Sequence, residues 1–356
     1  MRLRPFPCPW PDPARRAEDE TMIAGDALAA WIADPDHQKR SQEAIEALAR
    51  EWSRHPMMTG LERRLSLQPD RSAAAVIEAA RAFIDREDDV AAMMAQFIAA
   101  SCADPFFRLP LHSMSSEIHT GLLLFHHPDL AIALGVSGVD MLAAKKAGPR
   151  GATSIGFSGV TTLFRYLKAG GATLSFWEAP PITDRFVASQ AGKCRLTGRR
   201  RIEDGEEILI DGRCQSFVIE HAEADIVYLQ AMVRPEAASL SVEYDSKTLS
   251  FIGASSTDET SSRVQMMVSM LRVMEREDAL PLIVEALDSP HFYTRWHIMR
   301  ELLAMDAEAA LPPLRRMAAH DPHPEVRAAA RQTLDLFFAD EGGDAAEAGG
   351  ELQCHG

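Results

Sequence analysis

Between residues 154 and 254 the sequence advances in short apolar segments separated by turn residues. This run limits the fold more than any other stretch. Alternation with period two places side chains on opposite faces of strands. Residues 208–210, Asp211-Gly212, residues 213–220, a polar loop at 221–225 and residues 226–233 form its clearest part. Asp-Gly between two apolar runs predicts a tight hairpin, because a primed turn needs positive φ and these residues tolerate it. Lys168-Ala169-Gly170-Gly171 predicts another reversal, joining 162–167 to 172–177. Upstream, 118–125 and 130–136 flank a His126-His127-Pro128-Asp129 turn. With 194–202, 207–210, 240–244 and 248–252 the count is about ten strands, and strands that follow one another without helices imply an antiparallel sandwich or barrel.

The flanks change period. From about residue 18 to 104 the pattern is helical, with segments predicted to end at Asp34-Pro35 and to run over 41–54, 72–85 and 90–100. Asp104-Pro105 marks the switch to strands, and a short helix is expected at 137–147. Beyond Ser256-Thr257-Asp258, helices are expected at 260–276, 278–287, 292–304, 308–319 and 324–338. Residues 1–17 carry many prolines and are expected to form an extended arm. The acidic, Gly-rich stretch 339–356 is expected to be disordered. The expected organisation is therefore arm 1–17, helical region 18–104, β domain 105–256, helical repeats 257–338 and tail 339–356.

Composition excludes some classes. The formal net charge is −15, which opposes non-specific contact with nucleic acid or anionic lipid. No apolar run reaches the roughly 18 residues of a membrane span. Five cysteines, scattered and never in C-x-x-C spacing, argue against a disulfide framework or a zinc ribbon and fit reduced thiols in a cytoplasm.

Two stretches of the helical C-terminal part echo each other. Ala279-Leu280-Pro281-Leu282 returns as Ala310-Leu311-Pro312-Pro313-Leu314, and the stretch from Asp288 through Arg295 returns as Asp321-Pro322-His323-Pro324-Glu325-Val326-Arg327. A repeat of this length implies stacked helical hairpins. The Asp-x-x-Pro-Glu-Val-Arg-x-x-Ala stretch at 321–330 resembles the second-helix entry of HEAT-like repeats, over about 258–338. The resemblance implies that the Arg and Asp brace adjacent hairpins in a solenoid and that the array serves protein interaction. Thr294 stands where the family prefers Val. More weakly, by strand count and turn pattern over 106–256, the middle part resembles a cupin-type jelly roll. The metal motif of that family, two His one residue apart followed by Glu on the same segment, is absent.

Three constellations are candidates for chemistry. Glu117, His119, His127 and His221 are the candidate metal ligands. Glu117 and His119 share strand parity with His127, and His221 closes the strand carrying Phe217 and Ile219. Two or three His plus a carboxylate suit iron, manganese or zinc. The bland reading makes His119 a hydrogen-bonded core residue and the others turn residues. Arg195, Arg199 and Arg201 share one strand face and are candidates for binding a carboxylate or phosphate. The competing reading is a charged edge neutralised by Glu203, Asp204, Glu206 and Glu207. Phe292, Tyr293 and Trp296 form an aromatic group that is either a partner-binding hot spot or inter-helix core. The basic, Gly-rich loop at 145–154 is not a phosphate loop of the G-K-[ST] kind. The closest approach to a nucleophile elbow, Gly156-Phe157-Ser158-Gly159, has the wrong spacing.

Two functional readings follow. One is a non-catalytic ligand-sensing or regulatory protein, needing no cofactor, with a cupin-like pocket and a HEAT-like scaffold for a protein or peptide partner. The other is a cupin-type oxygenase or isomerase that uses a divalent metal, iron or manganese, on a small molecule or peptide recruited by the repeats.

Overall fold

A computed structural model describes residues 28–116, 118–147, 154–183 and 185–338. Glu117, the arm 1–17, the loop 148–153 and the tail 339–356 lie outside the described residues. After a helical segment at residues 28–33 come four helices: α1 (Pro35–Ser53), α2 (Pro56–Leu67), α3 (Ala73–Ile84) and α4 (Glu87–Ala103). Asp34 caps α1 by accepting from the His37 N–H at 3.0 Å, and Pro35 occupies the first turn, where its missing donor costs nothing. The helix therefore starts at Pro35, not at residue 41. Helix α2 was not anticipated. Pro56 again opens it and the His55 ring accepts from the Met57 N–H.

The β region has twelve strands among the described residues: β1 (His112–Ser115), β2 (His119–His127), β3 (Leu130–Ser137), β4 (Ser154–Phe157), β5 (Thr161–Lys168), β6 (Thr173–Glu178), β7 (Arg195–Arg201), β8 (Glu207–Asp211), β9 (Gln215–His221), β10 (Ile226–Val233), β11 (Leu240–Asp245) and β12 (Phe251–Ser256). Helix α5 (Val139–Ala147) interrupts them after β3. Every ladder is antiparallel. One sheet runs β1-β2-β3-β10-β5-β8. Opposite it stand β7-β6-β9 and β4-β11-β12, tied where the Ser216 hydroxyl of β9 donates to the Gly156 carbonyl of β4. The eight strands β3 to β10 thus divide into β3-β10-β5-β8 and β4-β9-β6-β7, the strand orders of the two layers of a jelly roll.

That division between sheets corrects the reading of one turn. Asp211-Gly212 joins β8 to β9, but β8 pairs with β5 and β9 with β6. The turn is a corner between sheets, not a hairpin. Gly212 is not among the glycines with positive φ. Glycine is required there by close approach, since a Cβ would lie 2.2 Å from Ser158 Oγ and 2.4 Å from the Val160 carbonyl oxygen. The Gly170-Gly171 reversal also changes sheets, from β5 to β6, and both glycines have positive φ (57° and 64°).

The large sheet is covered on its outer face by the N-terminal helices. Ala80, Phe83 and Met93 share one apolar core with Ile132, Leu163, Leu229 and Val233. Central strands buried on both faces lose strict alternation, and β3 reads as a nearly unbroken apolar run for that reason.

Five helices close the described chain: α6 (Glu259–Val273), α7 (Leu280–Glu285), α8 (Phe292–Met305), α9 (Ala307–His320) and α10 (Pro324–Phe337). They share a core containing Val268, Ile283, Ile298, Leu302, Leu314 and Val326. The echo in the sequence has a structural counterpart. Arg295 donates to the carbonyls of Ser289 and Pro290, and Arg327, 32 positions on, donates to those of Asp321 and Pro322. Arg295 also forks onto Asp321, with Nε–Oδ2 and Nη2–Oδ1 both 2.8 Å, so one helical pair is clamped to the next.

Candidate functional site

Between the two layers of the jelly roll lies a cavity of about 570 Å³, within the size range of small-molecule sites. Strand alternation supplies its wall. Phe164 and Tyr166 are two apart on β5, Tyr228 and Gln230 two apart on β10, and Phe217 and Ile219 two apart on β9. His119 comes from β2, and Gly135 and Ser137 from β3. The aromatic rings touch one another. Phe164 meets Phe217 edge-on at 5.2 Å and lies 5.8 Å from Tyr228, and Tyr166 lies 6.2 Å from Tyr228. They form a packed aromatic wall.

Gly135 sets the position of Tyr228. The two residues pair across β3 and β10, and a Cβ on Gly135 would stand 2.6 Å from the Tyr228 ring. Only glycine lets that ring lie over β3. Beside it, His119 Nδ1 is 2.7 Å from Ser137 Oγ and 3.3 Å from the Tyr228 hydroxyl. His119 and Ser137 are register partners on adjacent strands, so the sheet itself builds this triangle.

Tyr166 differs. Its side chain is 2% exposed, and among the described residues its hydroxyl has no hydrogen-bond partner. Burial pushes this phenol well above its ordinary pKa, with the neighbouring Tyr228 and Glu206 adding to the effect. Burial pushes Tyr228 up as well. Both hydroxyls are protonated at neutral pH and able to donate. No Asp, Glu, Lys or Arg is among the described residues that line the cavity.

The three candidate metal residues that are described, His119, His127 and His221, do not come together. His119 is in the cavity wall, but His127 is at the other end of the same strand, eight residues or about 26 Å away. The His127 ring turns back on its own turn, where Nδ1 accepts from the Asp129 N–H at 3.1 Å. His221 is exposed at the end of β9 opposite Thr173, and Glu117 lies outside the described residues. Among the described residues no group of three His, Cys, Asp or Glu is placed to hold a metal ion. The described cavity lining offers one imidazole and no carboxylate, fewer than the three protein ligands of the usual catalytic site.

The arginine row is neutralised in place. Arg195 pairs with Glu178, its register partner on β6. Arg199 lies 3.7 Å from Glu220, and Arg201 forks onto Glu223 at 3.1 and 3.2 Å. The acids come from β6, β9 and the loop after it, whereas of the 203–207 run Glu206 takes Arg200. Strand β7 is an exposed sheet edge, and charged side chains there oppose edge-to-edge pairing.

The aromatic group is spent inside the molecule. Phe292 stacks on His323 at 3.7 Å, and both Phe292 and Tyr293 pack against the core beneath β4 and β11. The Tyr293 hydroxyl donates to the Ser239 carbonyl at 3.1 Å, and Trp296 packs into the helical core. Sequence reasoning missed Phe164, Tyr166 and Tyr228. Their alternation on β5 and β10 was visible, but the pairing that brings those strands side by side was not.

Residues 254–335 match the family model of HEAT repeats. No curated protein matches the chain. Among solved structures, the chain is similar to the ectoine synthase from P. lautus at 10% identity and TM-score 0.22, over 35% of this chain and 69% of that one. It is similar to the 7S globulin of Momordica charantia at 10% identity and TM-score 0.22, over 38% of this chain and 35% of that one. A cupin domain from Bordetella pertussis Tohama I overlaps at 9% identity and TM-score 0.20, over 34% of this chain and 98% of the domain. Overlaps of this size say nothing of activity, and the middle region is assigned by its own strand order. The chain joins an antiparallel jelly-roll β domain to HEAT-like helical repeats.

Proposed function

We propose that this is a non-catalytic ligand-binding protein whose jelly-roll cavity takes a small, uncharged organic molecule. In this reading residues 105–256 form the sensing domain, and residues 257–338 form a short solenoid that presents the protein to a partner in the cytoplasm. The observation that carries it is Tyr166, a residue of the aromatic cavity wall whose buried hydroxyl has no hydrogen-bond partner among the described residues. A ligand acceptor there would recover the hydrogen bond that the apo protein forgoes. An uncharged ligand is favoured because a buried charge would meet no counter-charge among the described lining residues.

Native mass spectrometry of the full chain, followed by thermal denaturation with neutral aromatic amides such as benzamide, tests the reading. An amide that raises the melting temperature of the parent, with affinity roughly tenfold weaker for Tyr166→Phe, is the expected result. Elemental analysis tests the competing oxygenase or isomerase reading. Near-stoichiometric iron or manganese lost on His119→Ala would overturn the non-catalytic one.

A further inference from the structure

The central sheet leaves one carboxamide of the cavity without a strong partner. Strand β10 turns Leu229 and Ala231 toward the core shared with the N-terminal helices, so Tyr228 and Gln230 stand on the cavity side. His119, Ser137 and Tyr228 are committed to one another. Gln230 is not part of that triangle. It is half-buried, and the one hydrogen bond found for it among the described residues runs from Nε2 to Met232 Sδ at 3.9 Å. A thioether sulfur is a weak acceptor. The register partners of Gln230 are Ala133 on β3 and Phe164 on β5. Paired residues of antiparallel strands share a face, so the carboxamide rises between a methyl group and an aromatic ring.

A carboxamide carries a donor and an acceptor side by side and pairs best with an edge that carries the complementary two. A ketone satisfies the N–H alone. Once such a ligand has displaced water, the Gln230 oxygen is stranded, at a cost of about 1–3 kcal/mol. An ionised carboxylate brings no donor either, and no Lys or Arg is among the described residues that line the cavity. A cyclic secondary amide differs, because its ring holds N–H and C=O on the same side. It meets Gln230 through two reciprocal hydrogen bonds and strands nothing. An aromatic ring fused to that amide lies along Phe164, and the edge-on contact of Phe164 with Phe217 at 5.2 Å continues the aromatic surface onto the facing layer.

We propose that Gln230 selects the ligand of this cavity and that the ligand class is a planar aromatic lactam, read through its paired N–H and C=O. The proposal rests on the reading of the cavity as a site for a small uncharged molecule. The test is isothermal titration calorimetry on the full chain with two probes, isocarbostyril, a bicyclic aromatic lactam, and N-methylisocarbostyril, which lacks the N–H. The parent binds the first at least about tenfold more tightly than the second. Gln230→Met keeps the length of the side chain and removes both hydrogen-bonding groups, and it brings the two probes within about threefold of each other. A purely structural role for Gln230 would weaken both probes alike and leave the preference intact. The comparison of the probes on the parent depends on no substitution. A parent that binds both equally or binds neither, or a preference that survives Gln230→Met, overturns the proposal. The benzamide measurement on Tyr166→Phe separates this from a failure of the underlying reading, because a benzamide site that depends on Tyr166 stands whichever lactam result is found.

Discussion

Removing the Asp321 carboxylate tests the view that one buried fork holds the helical pairs together. The Arg295 and Asp321 side chains are 9% and 4% exposed, and two hydrogen bonds of 2.8 Å join them. In Asp321→Ala the guanidinium keeps only the carbonyls of Ser289 and Pro290. Breaking one partner of a buried pair costs about 3–5 kcal/mol, because the other charge stays desolvated. The His323 N–H also loses its acceptor, at about 1 kcal/mol more. Hydrogen exchange read by mass spectrometry resolves the effect within the intact chain. Amides of α8 and α9 should exchange about 10³- to 10⁴-fold faster, since each 1.4 kcal/mol is tenfold. The double variant Arg295→Met/Asp321→Leu should regain most of the protection, because apolar replacement of both partners removes the stranded charge. Less than a tenfold change in Asp321→Ala would refute the reasoning and show the pair to be solvated.

Other outcomes follow from the same contacts. Burial alone pushes the Asp321 carboxyl up, but Arg295 and the His323 N–H outweigh it and hold the carboxyl below the usual range. Its contribution is therefore present above the unfolded value of about 3.9 and is lost as pH falls through the lower folded value, so α8 and α9 should lose protection first in an acid titration by hydrogen exchange. Tyr166→Phe should leave the ligand-free protein as stable as the parent or about 1 kcal/mol more so in urea denaturation, because it deletes a buried hydroxyl that has no hydrogen-bond partner among the described residues. Gly135→Ala should displace the Tyr228 ring and destabilise by about 1–3 kcal/mol, with a change in near-ultraviolet circular dichroism from the aromatic wall. Asp258→Ala removes the side chain that accepts from the Ser261 N–H at the start of α6, at about 1 kcal/mol in thermal unfolding.

Patterns local in sequence were legible, and patterns made by pairing were not. Residues 226–233 alternate and are flanked by turns, so β10 was read with its observed bounds. The Arg and Asp of the repeat were read as braces from their place in a HEAT-like stretch, and Arg295 and Asp321 form that brace. Asp211-Gly212 misled because a short turn between apolar runs has the same signature whether the next strand pairs with the last or crosses to the other sheet. Only the Ser158 and Val160 contacts around Gly212 separate the two cases, and those come from a distant strand connection. Helix α2 was missed although Pro56 at its first position is a start signal. In the cavity, His119 was singled out for its chemistry. Phe164, Tyr166 and Tyr228 were passed over because each is ordinary in a strand until β5 and β10 are seen to be neighbours.

The fate of the aromatic group explains where an interaction surface can be. Phe292, Tyr293 and Trp296 would be strong anchors for a partner if they were exposed. Instead Tyr293 bonds to Ser239 and Ser256 at the ends of β11 and β12, and Phe292 stacks on His323, whose ring nitrogen Nε2 is 3.0 Å from the Phe186 carbonyl oxygen. Glu325 accepts from the Ala188 N–H at 2.9 Å in the same region. These contacts bind the helical repeats to β11, which pairs with β4, and β4 carries Gly156 in the cavity wall. The aromatic anchors thus join the repeats to the sheet that encloses the cavity. The large apolar side chains left exposed together on the described repeats are concentrated on the outer face of α6, on the side away from its packing against α8. The first helix of the repeats is therefore held to its neighbours by polar ties and small apolar contacts and offers its methionines outward.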